Sequence, residues 1–117
     1  MGRRRDSRDT GTLSELAFHV LVALGEGAAH GYAIGKDVEA RTAGRLDPST
    51  GTLYQVLRRL HEDGLIVPVD APDPDVDARR NYFALTAAGR RVAAAEAARL
   101  AALVDAARER NLFPRRA

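Results

Sequence analysis

One predicted helix face carries hydrogen-bond donors about one helical turn apart. In segment 46–66 (LDPSTGTLYQVLRRLHEDGLI), Gly51, Gln55 and Arg58 fall on one side of a helix, because each residue turns about 100°. Gln and Arg side chains can donate to base edges or phosphates in a DNA major groove. The plain alternative is an amphipathic helix with a solvated polar face, since exposed Arg and Gln are common. Gln55 and Arg58 are therefore candidates for base contact.

The beginning of the same helix is built from small polar residues and a glycine. Glycine in the first turn costs roughly 0.5–1 kcal/mol relative to Ala, so Gly51 is useful where something approaches the helix closely. A helix N-terminus also favours phosphate. Either Asp47 or Ser49 could cap this helix. The predicted contacts to a DNA backbone are Ser49, Thr50, Gly51 and Thr52.

Other polar side chains near this helix have two interpretations each. Tyr54 could donate to a phosphate or pack its ring against the preceding helix, whereas Tyr32 is expected to pack between helices. Lys36 is a candidate phosphate contact, although an exposed Lys can serve solubility alone. Arg79 and Arg80 begin a predicted strand beside an aspartate-rich turn. They could contact phosphate or the minor groove, or form local ion pairs instead.

The sequence offers no combination of residues that supports catalysis. The three histidines show no metal-ligand spacing, and the absence of cysteine excludes disulfides, thiol catalysis and zinc–thiolate sites. Alternating aspartates in segment 73–77 resemble the start of a calcium loop, but Ala78 and Ala84 stand where that loop requires Gly and Glu. We therefore predict a protein that is not an enzyme and needs no metal or cofactor.

Length and composition are those of one soluble globular domain. The 117 residues are 45% apolar and 29% charged, with a net charge of only +2. The basic residues are 17 arginines and one lysine, and Arg is the better ligand for phosphate and guanine. No apolar stretch approaches the ~18–20 residues that span a bilayer, and no secretion signal is recognisable. The expected compartment is the cytoplasm.

The N-terminal part of the chain combines a basic arm with an apolar helix. Residues 1–11 carry four arginines and are expected to be a flexible arm, which could lie along DNA or remain a solvated tail. Thr12 or Ser14 can cap the first helix. Residues 17–24 are apolar nearly all round the helix, including Phe18 and Val22. Because such a helix needs a second partner surface, this one is expected to pack against another subunit.

The middle of the chain has the pattern of a winged helix-turn-helix, spanning residues 12–86. A second helix from His30 to about Thr42 is followed by a short link and then the helix from Ser49. Segments 65–70 and 79–86 are predicted strands, separated by a loop, that form a two-stranded wing. The predicted fold class is therefore mainly α with a small β wing.

A long Ala-rich helix is predicted after the wing, over residues 87–113, with a short tail at 114–117. Thr86 can cap this helix, and nothing else in the chain is left to cover its apolar side. We expect it to be a dimerisation helix that packs on the first helix of a partner; an intramolecular cap on the core is the alternative. The predicted dimerisation residues are Phe18, Val22, Val92, Leu100, Leu103 and Val104.

With these features in hand, the chain resembles the PadR family of transcriptional regulators. Three blocks in consistent order and spacing carry the resemblance, which extends over residues 13–92. They are HGYAI at 30–34; PSTGTLY at 48–54 with LRRL at 57–60 and DGLI at 63–66; and RRNYFALT at 79–86 with Gly89-Arg90. Two residues depart from the family pattern: Thr50 stands where proline is frequent, and Asn81 where Lys or Arg is frequent, which removes one wing charge.

The resemblance implies a winged helix with one C-terminal dimerisation helix, as in the compact subgroup of the family. It implies a homodimer that binds palindromic promoter DNA, usually to repress transcription, and a response to small aromatic or amphipathic effectors. Two other functions are compatible with the residues. One is a winged helix that binds protein instead of DNA, and the other is a ligand sensor with a pocket between the first and last helices.

Overall fold

The predicted helices of the helix-turn-helix and the predicted strands of the wing follow one another in the expected order. The structure is a computed structural model, which describes residues 13–73 and 81–114. Over these ranges the chain forms four helices and three short strands. They are α1 (Glu15–Ala23), β1 (Ala29–His30), α2 (Gly31–Arg41), α3 (Thr50–Glu62), β2 (Ile66–Val69), β3 (Tyr82–Leu85) and α4 (Ala87–Glu109). The predicted class, mainly α with a small β wing, is confirmed.

Hydroxyl side chains start three of the helices. The Ser14 Oγ accepts a hydrogen bond from the Ala17 amide at 3.0 Å and caps α1. Ser49, and not Asp47, caps α3, because its Oγ accepts from the Thr52 amide at 3.1 Å. Each cap satisfies one of the amides that a helix start leaves without an intrahelical partner.

The core lies where α1, α2 and α3 meet the base of the wing. Leu53, Leu57 and Leu60 recur on one face of α3 and are buried, which leaves the opposite face of that helix in solvent. Val56, which adjoins Leu57 on this helix, is only partly buried. The fully packed cluster consists of Ala17, Val20, Leu21, Leu24, Ile34, Val38, Leu53, Leu57, Leu60, Leu65 and Ile66.

The sheet has one strand more than the two-stranded wing that the sequence predicts. Its order is β1-β3-β2, and both pairs of neighbouring strands are antiparallel. β1 pairs Ala29 with Phe83 and His30 with Tyr82. A strand of two residues is too short to show apolar–polar alternation, so the sequence pattern does not reveal it.

The last helix is fastened to the base of the wing. The Thr86 amide donates to the Leu65 carbonyl at 3.1 Å, and the Thr86 hydroxyl donates to the Gly64 carbonyl at 2.7 Å. The same hydroxyl oxygen accepts from the Gly89 amide at 2.9 Å, so Thr86 is the predicted cap of α4. None of the described helices combines the length and apolarity that crossing a membrane requires.

Candidate nucleic-acid interface

The polar face of α3 is open to solvent along its whole length. Gly51, Gln55 and Arg58 are all exposed, while Leu53 and Leu57 point into the core. Neither Gln55 nor Arg58 forms an ion pair or hydrogen bond with any residue that the structure describes. Because no described residue engages these two side chains, both can reach an external ligand.

The start of α3 presents unused backbone donors. The Ser49 hydroxyl donates to the Thr52 hydroxyl at 3.0 Å and accepts from the Thr52 amide, so both side chains take part in the cap. The amides of Thr50 and Gly51 belong to the first turn, where a helix has no internal acceptor for them. This end of the helix can therefore offer amide donors, together with the positive end of the helix dipole, to an anion.

Gly51 is not required by packing inside the protein. A β carbon built at this position would meet no atom within 4 Å outside its own helix. Gly31 and Gly89 differ from Gly51, because a β carbon at either position would overlap a neighbouring residue. No described residue therefore explains the glycine at position 51.

Tyr54 and Tyr32 differ in their packing, and the exposure of Tyr32 contradicts one prediction from the sequence. Tyr54 stands over Gly31, where a β carbon would overlap its hydroxyl oxygen and lie 2.7 Å from its Cζ. Tyr32 was expected to pack between helices, but it is 67% exposed, and that prediction is wrong. The space over Gly31 on α2 is therefore filled by Tyr54, whereas Tyr32 remains largely in solvent.

Lys36 lies in the groove between α2 and the beginning of α3. Its ammonium is exposed, 3.4 Å from Glu39 Oε1 and 6.0 Å from the centre of the Tyr32 ring. The hydrogen bond to Glu39 raises the pKa of Lys36, and the nearby charge of that carboxylate adds to the effect. The groove measures about 370 Å³ and is lined by Lys36, Tyr32, Gly35, Glu39, Asp47, Pro48, Thr50 and Tyr54, among others.

The predicted wing contacts cannot be placed. Arg79 and Arg80 lie outside the described residues, as do the arginines of the arm at 1–11. The structure thus brings together the predicted contacts of α2 and α3, and their role in DNA binding stays a prediction.

A second surface of interest is a cleft of about 500 Å³ between α1 and α4. Phe18 and Val22 on α1 and Leu100 on α4 contribute apolar walls. Further along α4, Leu103 is 60% exposed and Val104 is half-buried. Val92, also predicted for dimerisation, instead packs partly against the protein's own core. The other predicted dimerisation residues remain accessible to a partner.

The cleft contains a buried acid that the sequence analysis missed. Glu96 is only 7% exposed, and its carboxylate accepts from Arg99 Nε at 3.0 Å and from a terminal nitrogen at 2.5 Å. This pairing lowers the pKa of Glu96. In the sequence Glu96 is one polar residue among alanines, so no signal marks its burial.

Arg41 joins α1 to the end of α2 at the edge of the same cleft. Its guanidinium donates to Asp37 Oδ2 at 2.6 Å and to the His19 carbonyl at 3.1 Å, and it contacts His19 Nδ1 at 2.5 Å. Burial lowers the pKa of His19, and the charge of Arg41 lowers it further. Nearby, Glu15 in α1 and Arg45 in the link that follows α2 form an exposed ion pair. These polar contacts add to the apolar packing of α1 against α2 in the core.

The helices and the sheet define a winged helix-turn-helix protein with a long C-terminal helix. The sequence model of the transcriptional regulator PadR-like family matches residues 20–95, which is more than half of the chain. The chain belongs to this family, whose members are transcriptional regulators and not enzymes.

Several solved structures share the fold. A PadR family transcription regulator from Clostridium difficile R20291 is 20% identical and gives a TM-score of 0.69, with 82% of this chain and 97% of that chain covered. RosR of H. salinarum is 26% identical, with a TM-score of 0.64 over 79% of this chain and 77% of that one. Bacillus subtilis PadR, solved in complex with operator DNA, is 19% identical with a TM-score of 0.56, over 67% and 44% of the two chains.

A curated relative is more similar in sequence but much longer. An uncharacterized 37.1 kDa protein in transposon TN4556 of Streptomyces fradiae is 39% identical over 84 residues. The match covers 72% of this chain and 22% of the relative, so the chain spans about a fifth of that protein's length.

Proposed function

We propose that this protein is a sequence-specific DNA-binding regulator that acts as a homodimer on a palindromic promoter site, usually as a repressor. The observation that carries the proposal is the exposed face of α3, where Gly51, Gln55 and Arg58 are free of partners among the described residues. Operator DNA is present in the Bacillus subtilis PadR structure that shares the fold. The proposed place of action is the cytoplasm, where such a regulator would meet promoter DNA.

Each residue of the interface has a distinct proposed role. Gln55 and Arg58 contact base edges in the major groove, because both can make paired hydrogen bonds there. The helix start at 49–52 and Lys36 on α2 hold the phosphates on either side. The wing arginines Arg79 and Arg80 are proposed as further phosphate or minor-groove contacts. Tyr54 is not included, since its ring fills the space over Gly31.

Dimerisation would place two α3 helices in successive major grooves. In helix-turn-helix dimers these helices lie about 34 Å apart, one turn of DNA, which is why their operators are palindromic. Phe18, Val22, Leu100 and Leu103 provide the apolar surface that we assign to the partner, because they lie in or beside the α1–α4 cleft. A second α4 helix fits this surface, since the alanines of α4 permit close approach of two helices.

A shift assay with the promoter of the protein's own gene tests the proposal. A two-fold-symmetric sequence upstream of that gene is the first duplex to try, at low ionic strength. A dimer making about 6–10 phosphate contacts should lose roughly 10³–10⁵ in affinity between 50 and 200 mM salt. Failure to bind any duplex from this locus would contradict the proposal and leave a protein-binding winged helix as the better interpretation.

A pair of arginine variants separates base recognition from charge. Arg58→Ala should cost about 1–3 kcal/mol and relax the preference at one base pair. Arg91→Ala removes the same charge from an exposed position on α4, outside the proposed interface. Equal effects of the two substitutions would show that Arg58 contributes only charge.

Ligand sensing is a second candidate function, supported by the cleft between α1 and α4. Its apolar walls would suit a small aromatic or amphipathic molecule, whose polar group would meet the Glu96–Arg99 pair at one wall of the cleft. A thermal-shift screen with such molecules tests this. Compounds that raise the melting temperature of the parent but not of Glu96→Gln would support the site, and no shift from any compound would count against it.

A further inference from the structure

Tyr32 and Tyr54 line the same groove but differ in what surrounds them. Tyr54 occupies the space between α2 and α3, over Gly31. Tyr32 directly follows Gly31 in the chain and is 67% exposed, more than any other aromatic side chain among the described residues. The phenol that remains available to an external ligand is therefore on α2 and not on α3.

Neighbouring side chains flank the Tyr32 ring. The His30 imidazole is nearly parallel to it, with ring centres 6.4 Å apart and planes inclined by 18°. Lys36, one helical turn further on α2, has its ammonium 6.0 Å from the ring centre. A tyrosine has only two side-chain torsions, so a flanked ring loses little conformational entropy when its hydroxyl binds.

The ring also faces the start of the recognition helix. Tyr32 and Lys36 line the same groove as Pro48 and Thr50, which precede and begin α3. In helix-turn-helix proteins the first helix crosses the DNA backbone while the second enters the major groove. A phosphate near the amides of Thr50 and Gly51 would therefore have a neighbour on the same strand within reach of α2.

The charged side chains in the groove favour an uncharged hydrogen-bond donor as the contact to a DNA phosphate. Glu39 and Asp47 line it together with Lys36, and Glu39 is paired with the Lys36 ammonium. A phosphate that binds Lys36 has to compete with Glu39 for that ammonium. A phenol hydroxyl can donate to a phosphate without breaking any ion pair.

We propose that the Tyr32 hydroxyl donates a hydrogen bond to a backbone phosphate of bound DNA and so provides an anchor on α2. The inference rests on the DNA-binding function proposed above and adds a contact that the sequence analysis did not predict. Such a contact positions the protein on the duplex and carries no base preference of its own.

Tyr32→Phe tests the contact, since it removes one hydroxyl and nothing else. We expect affinity to fall roughly 3- to 10-fold for the hydrogen bond lost in each protomer, and so roughly 10- to 100-fold for the dimer, on the operator and on a mixed-sequence duplex alike. The salt dependence should stay unchanged because no charge is removed. Lys36→Gln, in contrast, removes a charge. It should make the slope of log K against the logarithm of salt concentration less steep by about 0.9 for each phosphate contact that is lost. The melting temperature of Tyr32→Phe should equal that of the parent, because the hydroxyl is in solvent.

Operators with single methylphosphonate substitutions locate the phosphate. Each half-site should contain one phosphate at which the substitution weakens binding of the parent protein. The same substitution should cause no further loss of affinity in Tyr32→Phe. Three results would overturn the inference: parental affinity of Tyr32→Phe, a loss restricted to particular bases, or a loss in Tyr54→Phe in place of Tyr32→Phe. In each of these cases the parent still binds its operator, whereas failure of the parent to bind would overturn the proposed function itself.

Discussion

The backbone of Gly89 lies so close to Leu65 that a β carbon at position 89 would overlap the Leu65 carbonyl oxygen. The same β carbon would be 2.9 Å from the carbonyl carbon of Leu65 and 3.2 Å from Leu85 Cδ2. Leu65 begins the wing and Gly89 is in the first turn of α4, so this contact joins the wing to the long helix. Any side chain at position 89 has to push the two elements apart.

Gly89→Ala is therefore expected to destabilise the protein. Overpacking a tight contact costs typically about 1–3 kcal/mol, and here the obstacle is backbone, which cannot rotate away. Urea unfolding at a fixed protein concentration measures the change. A variant as stable as the parent would show that α4 can shift without cost.

Gly51→Ala is expected to have the opposite effect on stability. Outside the neighbouring residues and backbone of α3, no described atom lies within 4 Å of the added β carbon, and alanine is the better helix former, so the free energy of unfolding should rise by about 0.5–1 kcal/mol. Operator affinity should nevertheless fall, roughly tenfold or more, because the methyl group would stand between the helix and the DNA backbone. Parental affinity in this variant would mean that the DNA does not approach position 51.

Leu103→Glu is expected to convert the proposed dimer into monomer. Leu103 is 60% exposed in the protomer, so a charge there costs little before association but would be buried without a partner afterwards. Sedimentation equilibrium measures the shift. Ala102→Glu is the matched control, since Ala102 is exposed on the side of α4 away from Leu103 and Leu100. Monomer formation by both variants, or by neither, would contradict the assigned surface.

His19 is expected to make stability depend on mildly acidic pH. Burial and Arg41 lower its pKa in the folded protein below the ordinary value of 6.5. The unfolded chain then binds a proton more readily, so stability is complete above pH 6.5 and declines as the pH falls below it. His19→Gln should flatten the unfolding free energy between pH 7.5 and about 5.5. Glu15, whose pKa is lowered by its bond to Arg45, loses its contribution only below 4.5, outside this window.

Local patterns in the sequence were sufficient for most of the fold. Leu53, Leu57 and Leu60 recur at helical spacing, and Ser14 and Thr86 are good capping residues, so helices and their starts could be predicted. The choice between Asp47 and Ser49 as the cap of α3 required coordinates, because both side chains can accept an amide. The strand at Ala29–His30 was missed because it exists only by pairing with β3.

The features of the candidate interface that depend on a single helix could be predicted from the sequence. Those that depend on the packing of two helices could not. The exposed face of α3 follows from its period alone. Tyr32 and Tyr54 were misjudged or left open because the space above Gly31 is created by the approach of α3 to α2. The burial of Glu96 likewise depends on α1 lying over α4, which no local pattern in the sequence records.

The pairing of His30 with Tyr82 has a mechanical consequence. His30 also caps α2 through Nδ1, which accepts from the Ala33 amide at 3.1 Å, so the helix and the sheet share one residue. Because His30 joins α2 to the sheet and Thr86 joins α4 to the base of the wing, we expect these elements of a protomer to move as one body. If the spacing between the half-sites of the proposed operator were altered, the duplex would therefore have to twist or bend. Otherwise the two protomers would have to shift relative to each other at their interface.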